Sequence, residues 1–152
     1  LDLRGNPGGY LEVAVDIASW FLERGEVVAI EDKGEEQEKY YSYGYESLAD
    51  YPLVVLIDQG SASASEILAG ALRDNLEVPL VGQDSYGKGS VQQLEELSQG
   101  ASLKITISKW LTPSGQSIQD GGLEPDEKVE YTEEDYKAGE DPQLEKALEM
   151  LQ

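Results

Sequence analysis

Apolar positions recur along this chain with two different periods. Behind Pro52, Leu53-Val54-Val55-Leu56-Ile57-Asp58 is an unbroken apolar run, the pattern of a strand buried on both faces. Leu1–Arg4 reads as the end of a similar strand and stops at the turn Gly5-Asn6-Pro7-Gly8-Gly9. Residues 10–24 change period: Leu11, Val13, Ala14, Ile17, Ala18, Phe21 and Leu22 fall at helical spacing, with Gly25 as the expected C-cap. Val27–Ile30 is a short β-rich run. Residues 31–50 are polar, gather Tyr40, Tyr41, Tyr43 and Tyr45, and read as an irregular or hairpin excursion. Beyond Gly60-Ser61-Ala62-Ser63, a helix is expected over 64–75 (Ile67, Leu68, Ala71, Leu72), then a strand at Val78–Val81. Ser90–Leu97 and Leu103–Leu111 are expected strands joined by the hairpin-length connection Ser98-Gln99-Gly100-Ala101. Pro113, Gly115, Gly121, Gly122 and Pro125 mark a long loop, and Pro142–Leu151 a terminal helix. Strands alternating with helices predict an α/β fold: a layered β-sheet with flanking helices and a late antiparallel hairpin.

Composition narrows the chemistry. The 152 residues suit one domain with one core. The 31 acids against 11 bases give a net charge of −20, but residues 51–119 hold only 7 acids against 4 bases. The acid is concentrated in 23–50 and 120–152, which read as solvated surface, and no calcium-loop spacing D-x-[DN]-x-[DN]-G occurs. This charge argues against nucleic acid or anionic membrane as a partner, and no apolar run approaches the ~20 residues of a membrane span. There is no cysteine and no histidine. That excludes a disulfide scaffold, Ser-His-Asp and Cys-His sites, and thiolate or imidazole metal ligation, so no metal or cofactor is expected. Any enzyme here relies on carboxylates, hydroxyls or an unprotonated lysine. The chain opens on Leu1-Asp2-Leu3 inside a strand pattern and without Met, and we read it as a fragment of a longer protein.

Two strand-to-helix junctions bear chemistry. In Gly60-Ser61-Ala62-Ser63-Ala64-Ser65-Glu66 small residues let a ligand approach the backbone, and a helix start supplies unpaired N–H groups. A hydroxyl there is either a nucleophile with the next amide as oxyanion donor, or simply an N-cap. Gly82-Gln83-Asp84-Ser85-Tyr86-Gly87-Lys88-Gly89 fits G-x-x-x-x-G-K after an apolar strand, with Asp58 as a magnesium-side acid, so nucleotide binding competes. Against it, Gly89 stands where that loop carries Ser or Thr, and the residues after Lys88 read as a strand. Lys88 is otherwise an exposed loop lysine or a base desolvated by burial, with the flanking glycines admitting a substrate chain.

Leu1 through Gly9, Gly60 through Ile67, Gly82 through Gln93, and Thr112-Pro113-Ser114-Gly115, in this order, closely resemble the C-terminal processing peptidases, or tail-specific proteases. The resemblance covers residues 1–126, leaving 127–152 as an acidic extension with a helix. It implies a crotonase- or Clp-protease-like core and a Ser/Lys dyad that hydrolyses peptide bonds through an acyl-enzyme. It places the nucleophile at Ser63, the base at Lys88 and the lysine-orienting residue at Gln92. The last two, four apart on a strand, would share a face. The backbone amides of Ala64 and of Gly8 or Gly9 would form the oxyanion hole, and Arg4, Glu66 and Ser85 would support the site. Ser61 and Ser65 stay open as alternatives to Ser63. The implied partner is a protein or peptide with an apolar C-terminal tail, in an extracytoplasmic setting (periplasm, cell envelope or exported). Members usually carry a PDZ domain and further core strands ahead of the Leu1 motif, and this chain has neither. It is therefore expected to be weak or inactive alone and to favour a homodimer through an exposed sheet edge. A non-catalytic peptide- or ligand-binding module of the same fold is the alternative.

Overall fold

A computed structural model describes residues 1–97, 101–119 and 121–152. Ser98, Gln99 and Gly100 of the expected hairpin connection lie outside the described residues. In chain order the elements are α1 (Leu11–Ala18), β1 (Val27–Asp32), β2 (Gln37–Tyr41), β3 (Val55–Ile57), α2 (Ala64–Leu76), β4 (Leu80–Gly82), β5 (Ser90–Glu96), β6 (Ser102–Leu111), β7 (Glu127–Lys128), α3 (Glu133–Ala138) and α4 (Pro142–Met150). The α/β class is as expected, but the strands divide over two sheets. One is parallel, ordered β3-β4-β7; the other is antiparallel, ordered β2-β1-β6-β5, and holds the late hairpin.

The parallel sheet explains the unbroken apolar run. Val55, Ile57 and Leu80 point into the main core with Leu22, Leu72, Ile118 and Leu123, while Val54, Leu56 and Val81 form a second cluster with Ala147 of α4. Successive residues face opposite sides of a strand, and here both sides are covered. Leu1–Leu3 runs beside β3: the Leu3 N–H donates to the Leu56 carbonyl at 2.9 Å and the Leu56 N–H to the Leu1 carbonyl at 2.9 Å.

α4 is held to this edge by Arg4. Its Nη1 donates to Asp141 Oδ1 at 2.8 Å and to Gln143 Oε1 at 3.0 Å, and its Nη2 to Asp141 Oδ2 at 2.9 Å and Asp2 Oδ2 at 2.8 Å. Asp141 is also the N-cap of α4, accepting from the Leu144 N–H at 3.0 Å. The Arg4 bonds hold the Asp141 and Asp2 carboxyls below their ordinary range and raise the guanidinium further still. Arg4, expected to support the catalytic site, thus spends its polar contacts on joining the first residues to α4.

Two expectations change. α1 stops at Ala18, well before Gly25, because Ser19 caps it: the Ser19 hydroxyl donates to the Val15 carbonyl at 2.6 Å and accepts from the Tyr43 N–H at 2.9 Å. The chain after β2 then folds over this end, with the Tyr45 N–H donating to the Ser19 carbonyl at 2.8 Å. In the acidic segment, β7 and α3 appear where no element was expected. α3 buries no residue and so leaves no apolar pattern to read. It starts from a Thr132–Asp135 capping box, in which the Thr132 N–H donates to Asp135 Oδ2 at 2.8 Å.

Candidate active site

β3 ends at Ile57, and the turn into α2 is built by side-chain bonds to backbone. Asp58 Oδ1 accepts from the Gly5 N–H at 2.8 Å, the Gly60 N–H at 2.9 Å and the Ser61 hydroxyl at 3.2 Å. Ser61 is fully buried, and its hydroxyl donates to the Leu3 carbonyl at 2.8 Å while accepting from the Asp58 N–H at 3.0 Å. It is therefore a strut, and Asp58 is committed to the turn. Ser65 is buried in the first turn of α2. Ser63 alone of the three is partly open, and it has φ 58° and ψ −119°. A non-glycine residue held in that region carries a cost of order 1–3 kcal/mol, and a strained strand-to-helix corner is the geometry that pushes a hydroxyl outward.

Glu66, the third residue of α2 and 1% exposed, ties this corner to the lysine loop. Its Oε2 accepts from the Ser63 N–H at 2.8 Å and from the Lys88 N–H at 3.0 Å. Its Oε1 accepts from the Ser85 hydroxyl at 2.5 Å and the Gly87 N–H at 2.7 Å. Ser85 in turn accepts from the Leu123 N–H at 2.7 Å. One buried carboxylate thus satisfies four donors from the two chemistry-bearing junctions and fixes their spacing.

The Ala64 amide, first in α2, is one of the N–H groups a helix start leaves without an intrahelical partner. Against it packs Gly8, φ +92°, where a Cβ would lie 2.4 Å from the Ala62 carbonyl oxygen and 2.8 Å from the Ala64 nitrogen. Only glycine fits there. The Gly8 N–H donates to Asn6 Oδ1 at 3.0 Å, so of the two glycines it is Gly9 whose amide is left for a ligand. Asn6, which sequence reasoning passed over, had a signal: an Asn accepting from an amide two residues on is a standard turn device.

Ser63, Ala64, Gly9 and Gln92 line one pocket of about 280 Å³ with Ile67 and Trp110. Gly9 and Ala64 also line a neighbouring, mostly apolar pocket of about 270 Å³ walled by Tyr10, Val13, Ile17 and Leu68. Gly9 and Ala64 therefore stand where two clefts meet. Trp110 was not foreseen, since only the pairing of β6 with β1 and β5 brings it here.

Lys88 departs from expectation. Its backbone is anchored, but its side chain is exposed, and it precedes β5, so it does not share a strand face with Gln92. Nor do the flanking glycines admit a substrate: a Cβ at Gly89 would come within 2.4 Å of the Gln119 nitrogen, so the chain's own loop occupies that space. The nucleotide reading loses its footing too. A strand comes after Lys88, with no helix start to face phosphates, and Asp58 is bonded within its turn.

Residues 1–129 match the family described as peptidase family S41. Similar curated relatives include the carboxyl-terminal-processing protease of Synechocystis, 48% identical over 86% of this chain and 30% of the relative. The carboxy-terminal processing protease CtpB of Bacillus subtilis is 39% identical over 99% of this chain and 31% of the relative. The chain thus spans about a third of the length of these relatives. Among solved structures, the photosystem II D1 C-terminal processing protease superposes with a TM-score of 0.77 at 34% identity, over 86% of this chain and 34% of that one. A peptidase structure from Parabacteroides merdae reaches 0.83 at 26% identity, over 99% and 50%.

Proposed function

The chain belongs to peptidase family S41, and from that membership we propose that it is the catalytic core of a serine endopeptidase acting near the C-terminal tails of protein substrates. The observation that carries this reading is the Glu66 carboxylate, which holds the Ser63 and Lys88 amides on one oxygen. Ser63 attacks the scissile carbonyl, Lys88 takes the Ser63 proton and later gives it to the leaving amine, and water releases the acyl-enzyme. Gln92, in the Ser63 pocket, orients the lysine amine. The Ala64 and Gly9 amides receive the oxyanion, each donor of this kind being worth about 2.7–4 kcal/mol. Glu66 and Ser85 position, and touch neither substrate nor reacting atoms.

A lysine serves as base near neutral pH when burial or a neighbouring cation disfavours its charged form, and Lys88 is exposed. We therefore assign the chain by itself weak or no activity, with bound substrate and the rest of a longer protein covering Lys88. The test is cleavage of an unstructured peptide with an apolar tail by the longer protein, compared with its Ser63→Ala and Lys88→Ala variants. Loss of at least about 10³-fold in each is expected; variants that cleave like the parent would remove the dyad. The extracytoplasmic setting is carried by the family likeness alone and is tested by fractionating cells that express the longer protein.

A further inference from the structure

Glu31 stands on β1, an interior strand of the antiparallel sheet, and is 8% exposed, a charged side chain that no step of the chemistry above uses. A carboxylate is buried at tolerable cost only where donors meet it, and Glu31 finds one on each neighbouring strand. The Ser108 hydroxyl of β6 donates to its Oε1, and the Tyr40 hydroxyl of β2 donates to its Oε2 at 3.2 Å. Lys33 Nζ lies 3.5 Å from the same Oε2. The registers put these groups on one face of the sheet. Glu31 pairs with Trp110 and with Glu38, so Trp110, Ser108 and Tyr40 all project from the Glu31 side. That face turns toward Ser63. The β5–β6 register slips at Val91/Gln92, which sends both of these residues to the Trp110 side, and both line the Ser63 pocket with Trp110. Tyr40 does not line that pocket, but its ring meets Trp110 edge-on at 5.6 Å. The Trp110 main chain is fixed separately: its N–H donates to the Gly89 carbonyl at 2.6 Å, and its carbonyl accepts from the Ile118 N–H at 3.2 Å. What remains to be set is the indole ring, and Tyr40, tethered by Glu31, bounds it.

We propose that Trp110 is the specificity-determining wall of the Ser63 pocket and that Glu31, acting through Tyr40, is the positioning residue that fixes this wall. The inference rests on the peptidase reading of that pocket. An indole that cannot retreat gives a pocket of about 280 Å³ a set width, so a substrate side chain beside the scissile bond can be aliphatic but not aromatic. The choice of an acid at position 31 follows from the same role. A glutamate accepts from both flanking strands at once, which an apolar side chain filling the same space could not do. The Tyr40 hydroxyl has the same logic, since a phenylalanine would keep the ring and lose the tether.

The test compares peptides that differ only in Ala or Phe beside the scissile bond, on each side of it in turn. With the longer protein, kcat/KM is expected to favour Ala by about tenfold or more at one of the two positions. That ratio should shrink about fivefold in Trp110→Leu, in Tyr40→Phe and in Glu31→Gln. Loss of folded protein lowers both rates together and leaves the ratio alone. An unchanged ratio in Trp110→Leu overturns the wall, and an unchanged ratio in both Tyr40→Phe and Glu31→Gln overturns the positioning. The chain has two tryptophans, so Trp20→Phe leaves Trp110 as its one indole. In the Ser63→Ala/Trp20→Phe chain, the Ala peptide is expected to shift Trp110 emission at a concentration where the Phe peptide does not. Adding Glu31→Gln there should raise acrylamide quenching of Trp110; unchanged quenching counts against the tether. Emission that separates the peptides, with neither cleaved by the longer protein, would sink the peptidase reading and keep the wall; cleavage of both with equal kcat/KM would do the reverse.

Discussion

Three serines within five positions differ in burial: Ser61 and Ser65 are buried and Ser63 is partly open. Ser61 is fully buried between the Leu3 carbonyl and the Asp58 amide, so Ser61→Ala should cost about 1–3 kcal/mol in chemical denaturation and lower activity only through lost folded protein. Ser63→Ala is the opposite case, with stability kept or raised and activity lost. Glu66 behaves like neither. A glutamine offers one oxygen where four donors now meet two, and its NH₂ would face further donors. Glu66→Gln is expected to lower the melting temperature and reduce kcat at least about tenfold with KM little changed; a parent-like kcat would refute its positioning role. Chain reading raised Lys88 as a candidate base from the missing histidine, but reached Ser63 and Gln92 only through resemblance to a family, because spacing cannot tell three serines apart. The distinctions that separate them, a buried hydroxyl against a strained corner, arise from contacts with Leu3 and Gly8 more than fifty residues away.

Among the elements, those with an apolar face were legible. β3 lies within its expected run, α2 spans Ala64–Leu76 as its spacing implied, and β5 and β6 form the expected hairpin. What escaped was held by polar contacts: α3, which buries nothing, and the early end of α1, set by a serine bonded to the distant Tyr43. α4 depends on both kinds of contact, Ala147 against Leu56 and Val81 and Asp141 against Arg4. Asp141 and Asp2 have depressed folded pKa values. They therefore stabilise the fold above the ordinary aspartate value of about 3.9, and this contribution is lost as pH falls through their folded values. Arg4→Met should cost about 2 kcal/mol at pH 7 and flatten the acid limb of a stability-against-pH curve. An unchanged acid limb in that variant would rule out the clamp as its source.

For the whole molecule, the antiparallel sheet leaves β2 and β5 as edges, and the β5–β6 hairpin exposes Leu94, Leu103, Ile105 and Ile107. Unpaired edges beside exposed apolar side chains favour pairing with a second copy, while a charge of −20 opposes it. Sedimentation velocity should accordingly show self-association that strengthens from low to moderate salt and weakens in Leu103→Lys/Ile105→Lys. A monomer at about 100 µM in 0.15 M salt would refute it. The joint between the two halves of the site has a consequence of another kind. Glu66 grips main-chain amides at Ser63 and Lys88, leaving both side chains replaceable without loosening the grip. A chain altered at both positions should keep its shape and its clefts while doing no chemistry. On the peptidase reading proposed above, it would be an inert bait for recovering, uncut, the polypeptides that a longer, active form would cleave.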